Sequence, residues 1–398
     1  NYRPFPFDAA TLGAVILTHA HIDHSGLLPK LLRDGFKGVI HASAATVDLC
    51  GVMLPDSAHI QESEVEMLNR RNRRRGGAQD LAPIYGAQDA ARTLTHLRDE
   101  RMGDWFTVLP GVRARLWNAG HLLGSASVEV DLSGDNTPLR LLFSGDLGPD
   151  AKLLQSNPEA PSGFDYVICE STYGDVDRIE ASAEHRRASL RKEVKAAWRD
   201  DGVLLIPTFA VERAQELIAD LSTLMLAGDL PFCPIHVDSP MATRATAVFR
   251  SHARELENGA ALLDGLKSPH LRFTETVEQS RALANARGFH IILAASGMCE
   301  AGRIRHHLKN WLAREAATLL LVGYQAEGTL GRLLQDGAGS VRIQGEEFPV
   351  RARIRSIDLY SGHADGPELA TWIENRLPIR HALFLVHGEE EALAGLAA

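Results

Sequence analysis

The stretch Thr18-His19-Ala20-His21-Ile22-Asp23-His24-Ser25-Gly26 follows directly on the apolar run Ala14-Val15-Ile16-Leu17. Such a run reads as a short buried strand, and a strand holds the loop that leaves it rigidly. His19, His21, Asp23 and His24 then fan out over one spot, and imidazole with carboxylate is a donor set suited to zinc-like ions. The plain alternative is a patch of polar surface. Four such donors within six positions, ordered His-x-His-x-Asp-His, argue against it. Four ligands cannot complete two metal sites, so further donors are expected downstream.

Composition bounds the rest. The chain has 398 residues, 45% hydrophobic and 23% charged, an ordinary globular balance with room for two or three domains. Cys50, Cys169, Cys233 and Cys299 are far apart and form no CxxC pair. Neither a disulfide framework nor a cysteine zinc site is expected, and a reducing, cytoplasmic setting fits. No apolar run approaches the ~20 residues of a membrane span. Lys plus Arg is 42 against 51 for Asp plus Glu, a net charge of −9, so any nucleic-acid site must be local. The densest basic cluster, Arg70-Arg71-Asn72-Arg73-Arg74-Arg75, reads as a solvated helix end whose cations complement the macrodipole, with an accessory contact to nucleic-acid phosphate as the minor alternative.

Further donors stand at strand ends. His121 lies between Gly120 and Gly124, flanked by the strands Val112–Trp117 and Ser127–Leu132, and Leu139–Phe143 delivers Ser144-Gly145-Asp146. Tyr166–Cys169 ends in Glu170-Ser171-Thr172-Tyr173-Gly174, and late in the chain come Ser361-Gly362-His363 and His387-Gly388-Glu389. Residues 87–100 read as a polar helix. From about residue 182 to 322 strands and helices alternate, which makes a parallel α/β sheet. Ligands bind at the C-terminal ends of such strands, beside helix N-termini that take phosphate oxygens. Arg213, Ser239, Met241, Arg244, Ser296, Gly297 and Arg303 are the expected substrate contacts there.

Taken in order, these motifs resemble those of the metallo-β-lactamase fold. The acidic residue followed by Ser-Thr-Tyr-Gly, with His363 and His387, is similar to the motifs of the β-CASP family of nucleic-acid nucleases, and in particular to bacterial and archaeal RNases related to the pre-mRNA 3′-end cleavage subunit. The resemblance covers essentially the whole chain. It implies an αββα sandwich, residues 1–175 and 346–398, with an inserted parallel-sheet β-CASP domain at 176–345. It also implies one or two strands ahead of Asn1. For the site it implies one zinc on His19, His21 and His121, a second on Asp23, His24 and His387, and Asp146 bridging both, with Mn2+ as the alternative ion. Glu170 would orient His363 and keep it protonated as the general acid. The implied reaction is hydrolysis of single-stranded RNA by a two-metal-activated hydroxide, leaving 5′-phosphate and 3′-hydroxyl ends. A homodimer is allowed, and a membrane partner is not expected. A β-CASP DNA nuclease is the rival reading, disfavoured by His387. A glyoxalase- or lactamase-type hydrolase of small molecules leaves the insertion unexplained.

Overall fold

A computed structural model describes residues 2–74, 80–133, 138–178 and 182–398. The chain divides into two compact units, one of Asn1–Leu147, Asn157–Asp177 and His363–Ala398, the other of Gly148–Ser156 and Arg178–Gly362. Arg75 of the basic cluster lies outside the described residues.

The first unit holds two sheets. Strands β1 (Ala14–Ile16), β2 (Val39–Ser43) and β3 (Leu97–Glu100) form a parallel sheet in that order. Strands β4 (Trp105–Leu109), β5 (Val112–Asn118), β6 (Ala126–Leu132), β7 (Leu139–Phe143), β8 (Phe164–Glu170) and the last strand, β17 (Ile379–Val386), form the other, in the order β17-β8-β7-β6-β5-β4. Period-two burial explains the layering. Ala114, Leu116, Ala126 and Val128 face inward and pack with Ile16 of β1. The opposite face turns Leu142, Val167 and Cys169 toward Leu369 and Trp372 of the helix Gly366–Glu374. The helix Ala44–Arg74 lies against β2 and β3. The result is the αββα sandwich of the metallo-β-lactamase fold. The single helix expected over 87–100 stops at Leu94, and Leu97–Glu100 instead extends the first sheet beside β2. Pairing with a buried neighbour overrides the helical propensity of a polar segment.

The second unit is built on six parallel strands, β9 (Val203–Pro207), β10 (Ile235–Val237), β11 (Leu271–Phe273), β12 (His290–Ala294), β13 (Ala317–Leu321) and β16 (Arg353–Ser356), in the order β11-β10-β12-β9-β13-β16. Every residue of β9, β12 and β13 is buried, as a parallel sheet covered on both faces requires. The expected return to the first domain at residue 346 falls inside a hairpin of β14 (Ser340–Ile343) and β15 (Glu346–Pro349). Val341 and Ile343 join the core of this unit, and β16 then pairs with β13, so the chain stays in the unit through Gly362. Gly148–Ser156 also belongs to it, not to the lactamase-like part as expected. Gln155 donates to the Glu212 carboxylate at 3.0 Å, and Asn258 donates to the Leu153 carbonyl at 2.8 Å. No helix among the described residues is long and apolar enough to cross a membrane.

Candidate metal centre

Nine side chains of the first unit converge at one end of its sheets. Beyond β1, the Ala126 amide donates to the Thr18 carbonyl at 2.9 Å and ties the loop to β6. The Ser25 hydroxyl donates to the Ala20 carbonyl at 2.8 Å. The turn so held carries His19, His21 and, on the short helix Ile22–Ser25, Asp23 and His24. Past β7, Gly145 takes φ +60°, and a Cβ there would come within 2.8 Å of the Ala126 carbonyl. Only glycine allows the backbone to approach β6 so closely and then aim Asp146 inward.

The loop bearing His121 depends on another such position. Gly124 has φ +78°, and a Cβ would meet Ser43 Oγ and Thr46 N at 2.7 Å. Its carbonyl accepts from Ser43 Oγ at 2.6 Å and from Thr46 Oγ1 at 2.8 Å. Gly124→Ala is therefore expected to cost about 1–3 kcal/mol of stability and to weaken ion uptake on the His121 side. Thermal unfolding and ion content of the variant check both effects.

Asp146 sits at the middle of the cluster, only 2% exposed. Its Oδ2 lies 3.4 Å from His19 Nε2 and 3.6 Å from His121 Nε2. Its Oδ1 lies 3.3 Å from His24 Nε2 and 3.8 Å from His387 Nδ1. His121 Nε2 approaches His21 Nδ1 to 3.0 Å. On the other side Asp23 Oδ2 is 3.6 Å from His387 Nε2 and 3.8 Å from His24 Nε2. Two groups result, His19-His21-His121-Asp146 and Asp23-His24-His387, each with ligand atoms within 4.8 Å of one another.

The donor chemistry suits cations. Among the described residues, His19 Nε2 and His24 Nε2 are buried without a hydrogen-bond partner. Buried polar atoms without partners are costly unless something else meets them, and a divalent ion does so. Burial pushes the His19 and His121 imidazoles well below their ordinary range and His21 down to about 4, so these three present neutral nitrogen, the ligand form. Burial alone would raise the Asp146 carboxyl. The close approach of His24 Nε2 at 3.3 Å, with His121 and His19, outweighs it and holds the group well below the usual carboxylate range.

His387 behaves differently. Its hydrogen bond with Asp23 raises it to about 9, against the effect of burial. An ion taken up by Asp23, His24 and His387 must displace that proton, so its affinity should fall about tenfold per pH unit below about 9. The group around His21 meets no such competition until pH approaches about 4. Acidification should thus strip the ions one at a time, the His387 side first. Ion content measured along a pH series checks the order, and simultaneous release would contradict it.

Beside the centre, Glu170 is buried and collects donors. Its Oε1 accepts from Leu147 N at 2.5 Å and faces His363 Nδ1 at 3.1 Å. Its Oε2 accepts from Thr172 Oγ1 at 2.6 Å and Thr172 N at 3.3 Å. Burial lowers the His363 imidazole, but Glu170, through charge and hydrogen bond, and Asp146 outweigh it and raise the group above its ordinary value. The His363 ring lies 4.6 Å from that of His121. The hydroxyl of Thr172 was not singled out in the sequence, and its place two residues after Glu170 was the available signal.

The seven expected substrate contacts lie in the second unit, and several face inward. Arg213 is buried, donating to the Val322 carbonyl at 2.7 Å with Nε 3.7 Å from Glu216. Arg303 donates to Asp238 at 2.6 Å and to the carbonyls of Thr274 and Glu275. Both guanidiniums tie strand-end loops to one another, because a buried charge needs partners. Ser239 caps the helix Pro240–Ser251 by accepting from Ala242 N, and Ser296 Oγ accepts from Ala301 N. Gly297 sits where a Cβ would be 3.0 Å from the Phe209 ring. Met241 is half-buried and Arg244 exposed. The sequence reading passed over two exposed aromatics at the same strand ends, Phe209 and Tyr324.

Residues 6–207 match the metallo-β-lactamase superfamily, 214–334 the β-CASP domain, and 347–398 the Zn-dependent metallo-hydrolase RNA specificity domain. Ribonuclease TTHA0252 of Thermus thermophilus is 38% identical over 402 residues, a match that takes in 100% of this chain and 86% of that protein. The transcription termination factors FttA of Methanosarcina mazei and Pyrococcus abyssi are 28% and 30% identical. Those matches also take in 100% of this chain, which spans only 61% and 62% of the two factors. The chain belongs to the β-CASP ribonuclease family of the metallo-β-lactamase superfamily.

Proposed function

We propose that the protein is a zinc-dependent ribonuclease that hydrolyses single-stranded RNA to 5′-phosphate and 3′-hydroxyl ends. The observation that carries this reading is Asp146, whose two carboxylate oxygens each face a different ligand group. A single carboxylate turned both ways suits a pair of ions, one held by His19, His21 and His121 and the other by Asp23, His24 and His387. When bound, such ions lower the pKa of water toward neutrality and offset the charge that builds on the phosphate. Family membership and the similarity to a protein named ribonuclease support RNA as the substrate.

The remaining chemistry belongs to the chain itself. Glu170 engages His363 Nδ1, which leaves Nε2 to carry the proton that the departing 3′ oxygen needs. Glu170 and Asp146 raise the His363 imidazole above its ordinary value, which favours the proton-bearing form that a donor needs. In the second unit, Arg244, Phe209 and Tyr324 are exposed groups near strand ends. They suit phosphate pairing and base stacking, the sequence-tolerant way of holding a single strand.

The deciding experiment incubates the purified protein with a 5′-labelled single-stranded RNA and a DNA strand of matching sequence, with zinc or manganese, and measures ion content on the same sample. RNA cut to 5′-phosphate products by protein holding two ions per chain, with the DNA intact, is expected. RNA left whole by protein that holds its ions would overturn the reading.

A further inference from the structure

We propose that Thr172 is a positioning residue that selects which ring nitrogen of His387 is offered to an ion. This rests on reading Asp23, His24 and His387 as an ion-holding group. Both nitrogens of His387 are within reach of the acidic pair, since Nε2 lies 3.6 Å from Asp23 and Nδ1 lies 3.8 Å from Asp146. Ring position alone therefore does not choose between them.

The Thr172 hydroxyl does. It stands 2.6 Å from Glu170 Oε2, 3.0 Å from the His387 carbonyl oxygen and 3.1 Å from His387 Nδ1. A hydroxyl has one proton, and a carboxylate only accepts. The shorter, charge-assisted bond to Glu170 takes that proton. Toward His387 the hydroxyl oxygen then has lone pairs alone, so Nδ1 must be the protonated nitrogen and donate to it. Once an ion displaces the proton that Nε2 shares with Asp23, the lone pair is on Nε2, on the side of Asp23. Assigning the tautomer through the other ring nitrogen is the usual work of a residue behind a metal ligand.

The local backbone fits this role. Ser171 Oγ donates to the Val386 carbonyl at 2.8 Å, and β8 and β17 run in parallel register up to Glu170 and Val386. His387 itself has φ +58°, a conformation that side-chain-bearing residues seldom adopt. It is thus held from the Ser171-Thr172 side by both hydroxyls. Because the same Glu170 carboxylate faces His363 through its other oxygen, Thr172 also links the proton donor to the ion-holding group.

The test compares wild type with Thr172→Val, which keeps the shape and removes the hydroxyl, and with Thr172→Ser, which restores it. In zinc-loaded protein with 15N-labelled histidine, wild type and Thr172→Ser should show His387 protonated at Nδ1 and ligated through Nε2, and Thr172→Val should lose that single pattern. Zinc affinity on the His387 side should drop about 10–100-fold in Thr172→Val and return in Thr172→Ser, while the His19-His21-His121 side keeps its ion. A Thr172→Val protein with wild-type spectra and affinity, or a Thr172→Ser protein no better than Thr172→Val, overturns the assignment and leaves the ribonuclease reading standing. Wild-type protein that takes up no second ion overturns both.

Discussion

Asp146→Ala is expected to leave the protein unable to keep its pair of ions and to lower RNA cutting by at least about 1000-fold, since ions at a scissile phosphate contribute several kcal/mol. The carboxylate faces both halves of the centre through separate oxygens, with Oδ2 toward His19 and His121 and Oδ1 toward His24 and His387. Losing any single histidine would weaken one half, whereas losing Asp146 weakens each. Ion content after dialysis gives a readout independent of activity. So does thermal unfolding, because ligands that bind the folded state raise the melting temperature. Added zinc should stabilise wild type and leave Asp146→Ala unmoved. Asp146→Asn, which keeps the shape and removes the charge, guards against a loss that comes from misfolding. In the metal-free protein the Asp146 carboxyl is held well below its usual range. It therefore adds stability above its unfolded pKa, and that stability is lost as pH falls. Metal-free Asp146→Ala should melt below wild type at neutral pH, and the difference should shrink in acid. A variant that still takes up two ions and cuts at the wild-type rate would show that Asp146 bridges nothing.

The residues of this centre were legible in the sequence for a local reason. Each stands at or just past the end of a strand whose apolar run is plain, and His19 to His24 are packed too densely to be incidental. The grouping of His121 and His387 with them is a long-range fact, and it came from the order of motifs, since no spacing rule brings together positions so far apart. Side-chain direction was harder to read. Arg213 and Arg303 look in the sequence like phosphate clamps, yet one meets the carbonyl of Val322 and the other the carboxylate of Asp238. Those partners lie 109 and 65 residues away, and nothing near either arginine announces them. The boundary near 346 is set by contacts that are equally hard to read, for the family match begins at 347 while the contacts keep the chain in the second unit to Gly362. A short hairpin and one more strand look alike in sequence whether they close one unit or open the next, and the burial of Val341 and Ile343 in the second core decides it. Thr172 sat in plain view, but a hydroxyl becomes informative only when its three neighbours are known.

His363→Ala should lower the rate on ordinary RNA by about 100- to 10,000-fold, the range of a lost general acid, while ion content stays at the wild-type value. His363 belongs to neither the His19-His21-His121 nor the Asp23-His24-His387 set; with Asp146 and Glu170 it forms a third group of donors within 4.8 Å, and it meets Glu170 through Nδ1, so its loss should leave the two histidine-rich sets intact. A phosphodiester whose leaving group is a nitrophenolate needs no proton on departure. The variant should cut that substrate at close to the wild-type rate, a contrast that a merely structural role of His363 would not produce. Glu170→Gln tests the cause of the raised pKa. Glu170 is the main group that lifts His363, and a donor with a raised pKa loses its proton only as pH rises through that value. The alkaline limb of the pH–rate profile should therefore move to lower pH in Glu170→Gln. An alkaline limb that stays in place in Glu170→Gln, or equal losses of His363→Ala on both substrates, would remove His363 from the proton-donating role.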